Sequence, residues 1–160
     1  MLSLRRSLVG TLLGAIVSVT LGTGGACAQA TPDDAALFQR LGGLPGISLV
    51  VSDFIDVFVQ DAVILSNPEV RERKTPDTTP YIKFQVTSLM CEVTGGPCQY
   101  TGLDLREAHD GLNVSEEEWD RMVVLFSETL AAHEVPQRET EELFAILGPT
   151  KEEIVVPGSR

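Results

Sequence analysis

The side chains in this sequence with the most specific chemical capacity are two histidines, His109 and His133, and three cysteines, Cys27, Cys91 and Cys98. A neutral imidazole nitrogen can ligate a metal ion, and a pair of thiols can either bind a metal or close a disulfide. Cys91 and Cys98 stand seven positions apart, which matches no zinc pattern, and two histidines offer little help in completing one. His109, in Glu107-Ala108-His109-Asp110-Gly111, reads by itself as an ordinary surface or cap histidine. His133 follows Ala131-Ala132 near a helix end, where a solvated imidazole is favourable to the helix dipole. Ser115 precedes three glutamates and serves as a helix cap. No Ser/His/Asp order and no phosphate-binding loop is present, so hydrolytic or transferase chemistry finds no support.

The compartment decides what the thiols do. Arg5 and Arg6 precede an apolar run from Leu8 to about Leu21, and Ala28-Gln29-Ala30 has the shape of a signal-peptidase site, so residues 1–30 read as a cleaved export signal. The alternatives are a membrane anchor, for which the run is short and broken by Gly10 and Gly14, and a lipid anchor on Cys27, which lacks the usual large aliphatic residue three positions earlier. Cleavage removes two arginines and no acid, taking the net charge from −11 to −13. So acidic a domain opposes binding to nucleic acid through its phosphates. In an oxidising periplasmic or extracellular space, Cys91 and Cys98 are expected to form a disulfide, whose short loop gives about 2.5 kcal/mol at most.

The elements that must position these residues are helices. Thr31-Pro32-Asp33-Asp34 has the composition of a helix start, and Leu37, Phe38 and Leu41 supply an apolar face that ends at Gly42-Gly43. Pro45 opens a second helix to about residue 60, with Ile47, Val50, Val51, Phe54, Ile55 and Phe58 at helical spacing. Residues 67–80 hold Pro68, Pro76 and Pro80 among polar residues and read as a long exposed loop. A third helix is expected over 79–94, followed by a short helical turn around 103–110. Ser115-Glu116-Glu117-Glu118 is a capping box that opens a fourth helix, with Trp119, Met122, Val123, Phe126 and Leu130 inward. Pro136 opens the last helix, which Gly148-Pro149 kinks or breaks. The domain over 31–160 is therefore all-α.

The order of motifs is more specific than the pattern of helices. Leu37-Phe38-Gln39-Arg40-Leu41-Gly42-Gly43 resembles the start of truncated haemoglobins of the first (N-type) group. Gly95-Gly96-Pro97-Cys98-Gln99-Tyr100-Thr101-Gly102 is similar to their second double-glycine element, and Ala108-His109-Asp110-Gly111-Leu112 to the A-H-x-x-L that follows it. The resemblance spans residues from about 36 to 156. It implies a two-over-two helical sandwich that holds haem b between the third helix and the short helix of His109. His109 becomes the expected proximal ligand of the iron.

The opposite side departs from the family. Phe54 is followed by Ile55 where a tyrosine is usual, and Ile82 and Val86 replace polar residues of the third helix. Gln85 replaces a basic residue that often pairs with a haem propionate, which leaves Arg106 and Lys83 as the basic candidates. The phenylalanine that usually packs on haem after the second helix is missing near Asn67-Pro68. Phe54, Ile55, Ile82, Val86 and Met90, with Trp119 and Met122 from the fourth helix, are thus expected to wall an apolar pocket.

Such a pocket offers no strong hydrogen-bond donor to dioxygen and discriminates little against carbon monoxide or nitric oxide. The expected function is reversible binding of a diatomic gas at five-coordinate haem iron, without catalysis. A nitric-oxide dioxygenase would need a longer-lived dioxygen complex, and electron transfer would need a second axial ligand, for which only Met90 is conceivable. The alternative from another class is a haem-free globin fold acting as a binding or structural domain.

Overall fold

A computed structural model describes residues 35–159, and among these every regular element is helical. The expected export signal, Cys27 and the helix start at Thr31–Asp34 lie outside the described residues. The chain forms α1 (Leu37–Arg40), α2 (Gly43–Phe58), α3 (Pro68–Arg73), α4 (Thr78–Val93), α5 (Leu105–His109), α6 (Glu116–Ala132), α7 (Gln137–Leu147) and α8 (Lys151–Ile154). No described helix is long and apolar enough to cross a membrane.

Ile47, Val51, Phe54 and Ile55 of α2 recur at helical spacing and bury one stripe. That stripe meets α4 and α6. Phe54 meets Phe126 of α6 edge-on at 5.1 Å between ring centroids, and Phe126 meets Phe144 of α7 at 5.7 Å. Leu125, Leu130 and Leu143 fill the space around these rings. α1 is held from two sides. The Phe38 amide donates to the Thr94 carbonyl at 2.9 Å, and Arg40 donates to Glu139 of α7 at 2.8 Å and also to Glu142.

The stretch 67–80 differs from the long loop expected of it. Asn67 is an N-cap whose side chain accepts from the amides of Glu69 and Val70, and Pro68 occupies the first turn of α3. Three prolines read as a break were in part a helix start, because proline lacks the amide that the first turn cannot bond anyway. Only residues 74–77 separate α3 from α4. The Asn67 amide also donates to the Leu112 carbonyl at 2.8 Å, which docks α3 beside the end of α5.

The capping box of α6 is formed in full: the Glu118 amide donates to Ser115 Oγ, and the Ser115 amide donates to the Glu118 carboxylate at 2.7 Å. The inner face of α6 includes Leu125 and Thr129 as well as the expected Trp119, Phe126 and Leu130.

Cys91 is fully buried near the end of α4, and Cys98 lies in the segment leading to α5, with Cα atoms 5.7 Å apart and the sulfurs at bonding distance. Gly96 allows this return, since a Cβ there would sit 2.6 Å from the Cys91 carbonyl oxygen. A free-thiol assay on exported protein should find no reactive pair, and reduction should lower unfolding stability by up to about 2.5 kcal/mol. Two reactive thiols in exported protein would contradict the cross-link.

Candidate functional site

α5 is a five-residue helix and cannot stand alone, so its position is imposed by neighbours. Asp104 caps it by accepting from the Glu107 amide at 2.8 Å. Arg73, at the end of α3, donates to the Asp110 carbonyl at 2.7 Å just beyond it. α8 packs against it from the other end of the chain.

His109, the last residue of α5, faces a cavity of about 410 Å³. Ile82, Gln85, Val86 and Leu89 of α4 line the cavity, as do Trp119 and Met122 of α6. Phe58 at the end of α2, Ile64 and Leu65 beyond it and Val70 of α3 also line it, as does Ile154 of α8. His109, Ile82, Val86, Trp119 and Met122 therefore line one cavity.

Five expected site residues stand elsewhere. Phe54, Ile55 and Met90 are buried in the hydrophobic core and do not line the cavity. They fall on the side of α2 and α4 where these helices and α6 pack together, so positions that the family resemblance assigns to the pocket serve the core here. Arg106 is exposed and does not line the cavity. Lys83 is engaged elsewhere too, donating to Ser52 Oγ at 3.0 Å and to Asp56 at 2.7 Å on α2. His133 caps α6 and contacts Asp53 of α2 through Nε2 at 2.9 Å rather than standing in solvent alone.

Sequence reasoning missed Arg73 and Lys74, the lysine and arginine that do line the cavity, because their segment read as a loop. The Asn67-Pro68 pair was the signal that could have located them. It also missed Tyr100, whose hydroxyl donates to the Leu103 carbonyl at 2.7 Å and whose pKa burial pushes up. Gly102 lies against this ring: a Cβ there would sit 2.4 Å from the Tyr100 oxygen and 2.7 Å from Gln85 Oε1. Gln85 Oε1 is buried and has no hydrogen-bond partner among the described residues.

The electrostatics of His109 follow from its surroundings. Its Nδ1 lies 2.7 Å from the Leu105 carbonyl oxygen. A carbonyl only accepts, so Nδ1 carries the proton and Nε2 keeps a free lone pair. Desolvation lowers its pKa below the ordinary histidine value, Arg73 lowers it further, and the Leu105 carbonyl opposes them. The imidazole is thus neutral near pH 7 and suited to ligate a metal.

The sequence profile of the bacterial-like globin family matches residues 36–156. The chain belongs to that family. It is 22% identical over 122 residues to the group 1 truncated haemoglobin of Mycolicibacterium paratuberculosis, which covers 76% of this chain and 85% of the relative. The fold is that of truncated haemoglobins. The Fe(III) form of the Tetrahymena pyriformis protein superimposes with a TM-score of 0.67 at 21% identity, over 76% of this globin and 98% of that chain. A glutamine-to-glutamate variant of the same Tetrahymena protein gives 0.66 at the same identity and coverage.

In the ligand-free globin, an NMR titration of the histidine ring protons should place His109 below the free-histidine midpoint of about 6.5. Because its folded-state pKa is lowered, the stability it contributes is complete above about pH 6.5 and declines as the pH falls toward the folded value. A midpoint at or above 6.5 would contradict the desolvated, neutral ring.

Proposed function

We propose that this globin holds haem b in the cavity between α4 and α5 and reversibly binds a diatomic gas outside the cytoplasm. The observation that carries this reading is His109: its Nδ1 is tied to the Leu105 carbonyl, leaving Nε2 unprotonated on a half-buried, neutral ring that lines the cavity. A backbone hydrogen bond of this kind fixes the tautomer and orients the ring for metal ligation. The rest of the cavity fits the same group. Its wall is mainly apolar, which favours a large flat apolar ligand by about 25 cal/mol for each Å² of apolar surface covered. Gln85 brings one unpaired amide oxygen to that wall.

Bound haem would supply an iron with one open coordination position for dioxygen, carbon monoxide or nitric oxide. The chain's own residues set how such a ligand is held. Ile82, Val86 and Leu89 of α4 offer apolar contact, while Tyr81 and Gln85 of the same helix and Tyr100 bring hydrogen-bonding groups to the wall, unlike the donor-free pocket expected from the sequence. The role is ligand binding rather than catalysis. Export agrees with Arg5 and Arg6 before an apolar run and with the paired cysteines.

Addition of haem to the purified protein should produce a stoichiometric Soret complex that carbon monoxide shifts. His109→Ala should weaken uptake or change the band, and added imidazole should restore it in that variant. No uptake by the wild type would refute the haem reading and leave the cavity to a haem-free binding domain.

A further inference from the structure

The charged groups on the cavity wall are few, and their sign is unusual for this chain. The protein carries a net charge of −11, yet Arg73 and Lys74 both line the cavity, at and just after the end of α3. The acid on the same wall, Glu118, is engaged by Ser115 through both the amide and the hydroxyl. Among the described residues neither Arg73 nor Lys74 forms an ion pair, whereas Arg40, Lys83, Arg121 and Lys151 each bind a carboxylate on another helix or interhelical segment. Arg73 is also held in place. One guanidinium nitrogen donates to the Asp110 carbonyl, and most of its other donors remain available.

We infer that Arg73 and Lys74 are the anion-recognition end of the cavity, receiving the carboxylates of a ligand that is otherwise apolar. This rests on haem as the occupant, whose two propionates are such carboxylates. Arg106 and Lys83 are less suited to the role, since Arg106 does not line the cavity and Lys83 is bound to Asp56. A guanidinium meets a carboxylate with two parallel donors, while the adjacent ammonium adds a mobile point charge. Fixing Arg73 to Asp110 also places the cation beside the helix that carries His109, so the two ends of the ligand would be located by one rigid corner.

The test compares haem with its dimethyl ester, which keeps the ring and iron but removes both negative charges. Release of each from the wild type, Lys74→Gln, and the Arg73→Gln/Lys74→Gln double variant is followed by transfer to excess apomyoglobin. Wild type should lose the ester about tenfold faster than haem, the scale expected of two partly exposed ion pairs. The double variant should lose both at one fast rate, and Lys74→Gln, which leaves the Arg73–Asp110 bond intact, should fall between. If the double variant still discriminates as the wild type does, or speeds release of haem and ester equally, the assignment fails and Arg73 is a structural link only. If the wild type takes up neither, the haem reading fails and this inference falls with it.

Discussion

The edge-to-face contacts joining Phe54, Phe126 and Phe144 fix α2, α6 and α7 as one unit, and the rest of the fold is arranged around them. Edge-to-face rings constrain position and orientation together, beyond the gain from area alone. With α2 committed to this contact, one side of α4 is drawn into the core through Met90 and Cys91. Its other side, Ile82, Val86 and Leu89, is left facing a space that no helix fills. The cavity is thus a product of core packing: α4 has two apolar faces, and the core uses one.

The second constraint is electrostatic. In so acidic a chain the cations act as scarce fasteners. Arg40 joins α1 to α7, Lys83 joins α4 to α2, and Arg121 joins α6 to Asp61, whose other oxygen accepts from the Val63 and Ile64 amides. Hydrogen bonding to Arg121 holds the Asp61 carboxyl below the usual range, and Arg40 does the same to Glu139. The Lys83 and Arg121 pairs are partly exposed and contribute modestly alone, whereas the Arg40–Glu139 pair is largely buried; together they set the register between helices that apolar contact leaves free to slide.

The helices were legible because their ends are chemically marked: Ser115 with Glu118, Pro136, and the two double glycines all fall at observed boundaries. His109 was legible through its motif, since its own neighbours make it an ordinary histidine. The wall was only half legible. Ile82 and Ile55 are alike in sequence as branched apolar residues on helices, and nothing local says that one faces the cavity and the other the core. That division depends on how α2 and α4 rotate against each other, a tertiary property. The cations are hard to place for a different reason: Pro68 alone reads as a breaker, and only Asn67 beside it makes it a helix start.

The C-terminal end has a bearing on how anything enters or leaves. Ile154 closes part of the cavity, yet α8 is a four-residue helix held by Lys151 to Glu116 and by the Val156 amide to the Val114 carbonyl at 2.9 Å. None of the phenylalanine contacts reaches it. A segment with so few buried contacts opens at a much lower free energy than the domain unfolds. Opening of this short helix would uncover one wall of the cavity while the helical core stays folded and its backbone amides stay protected from hydrogen exchange.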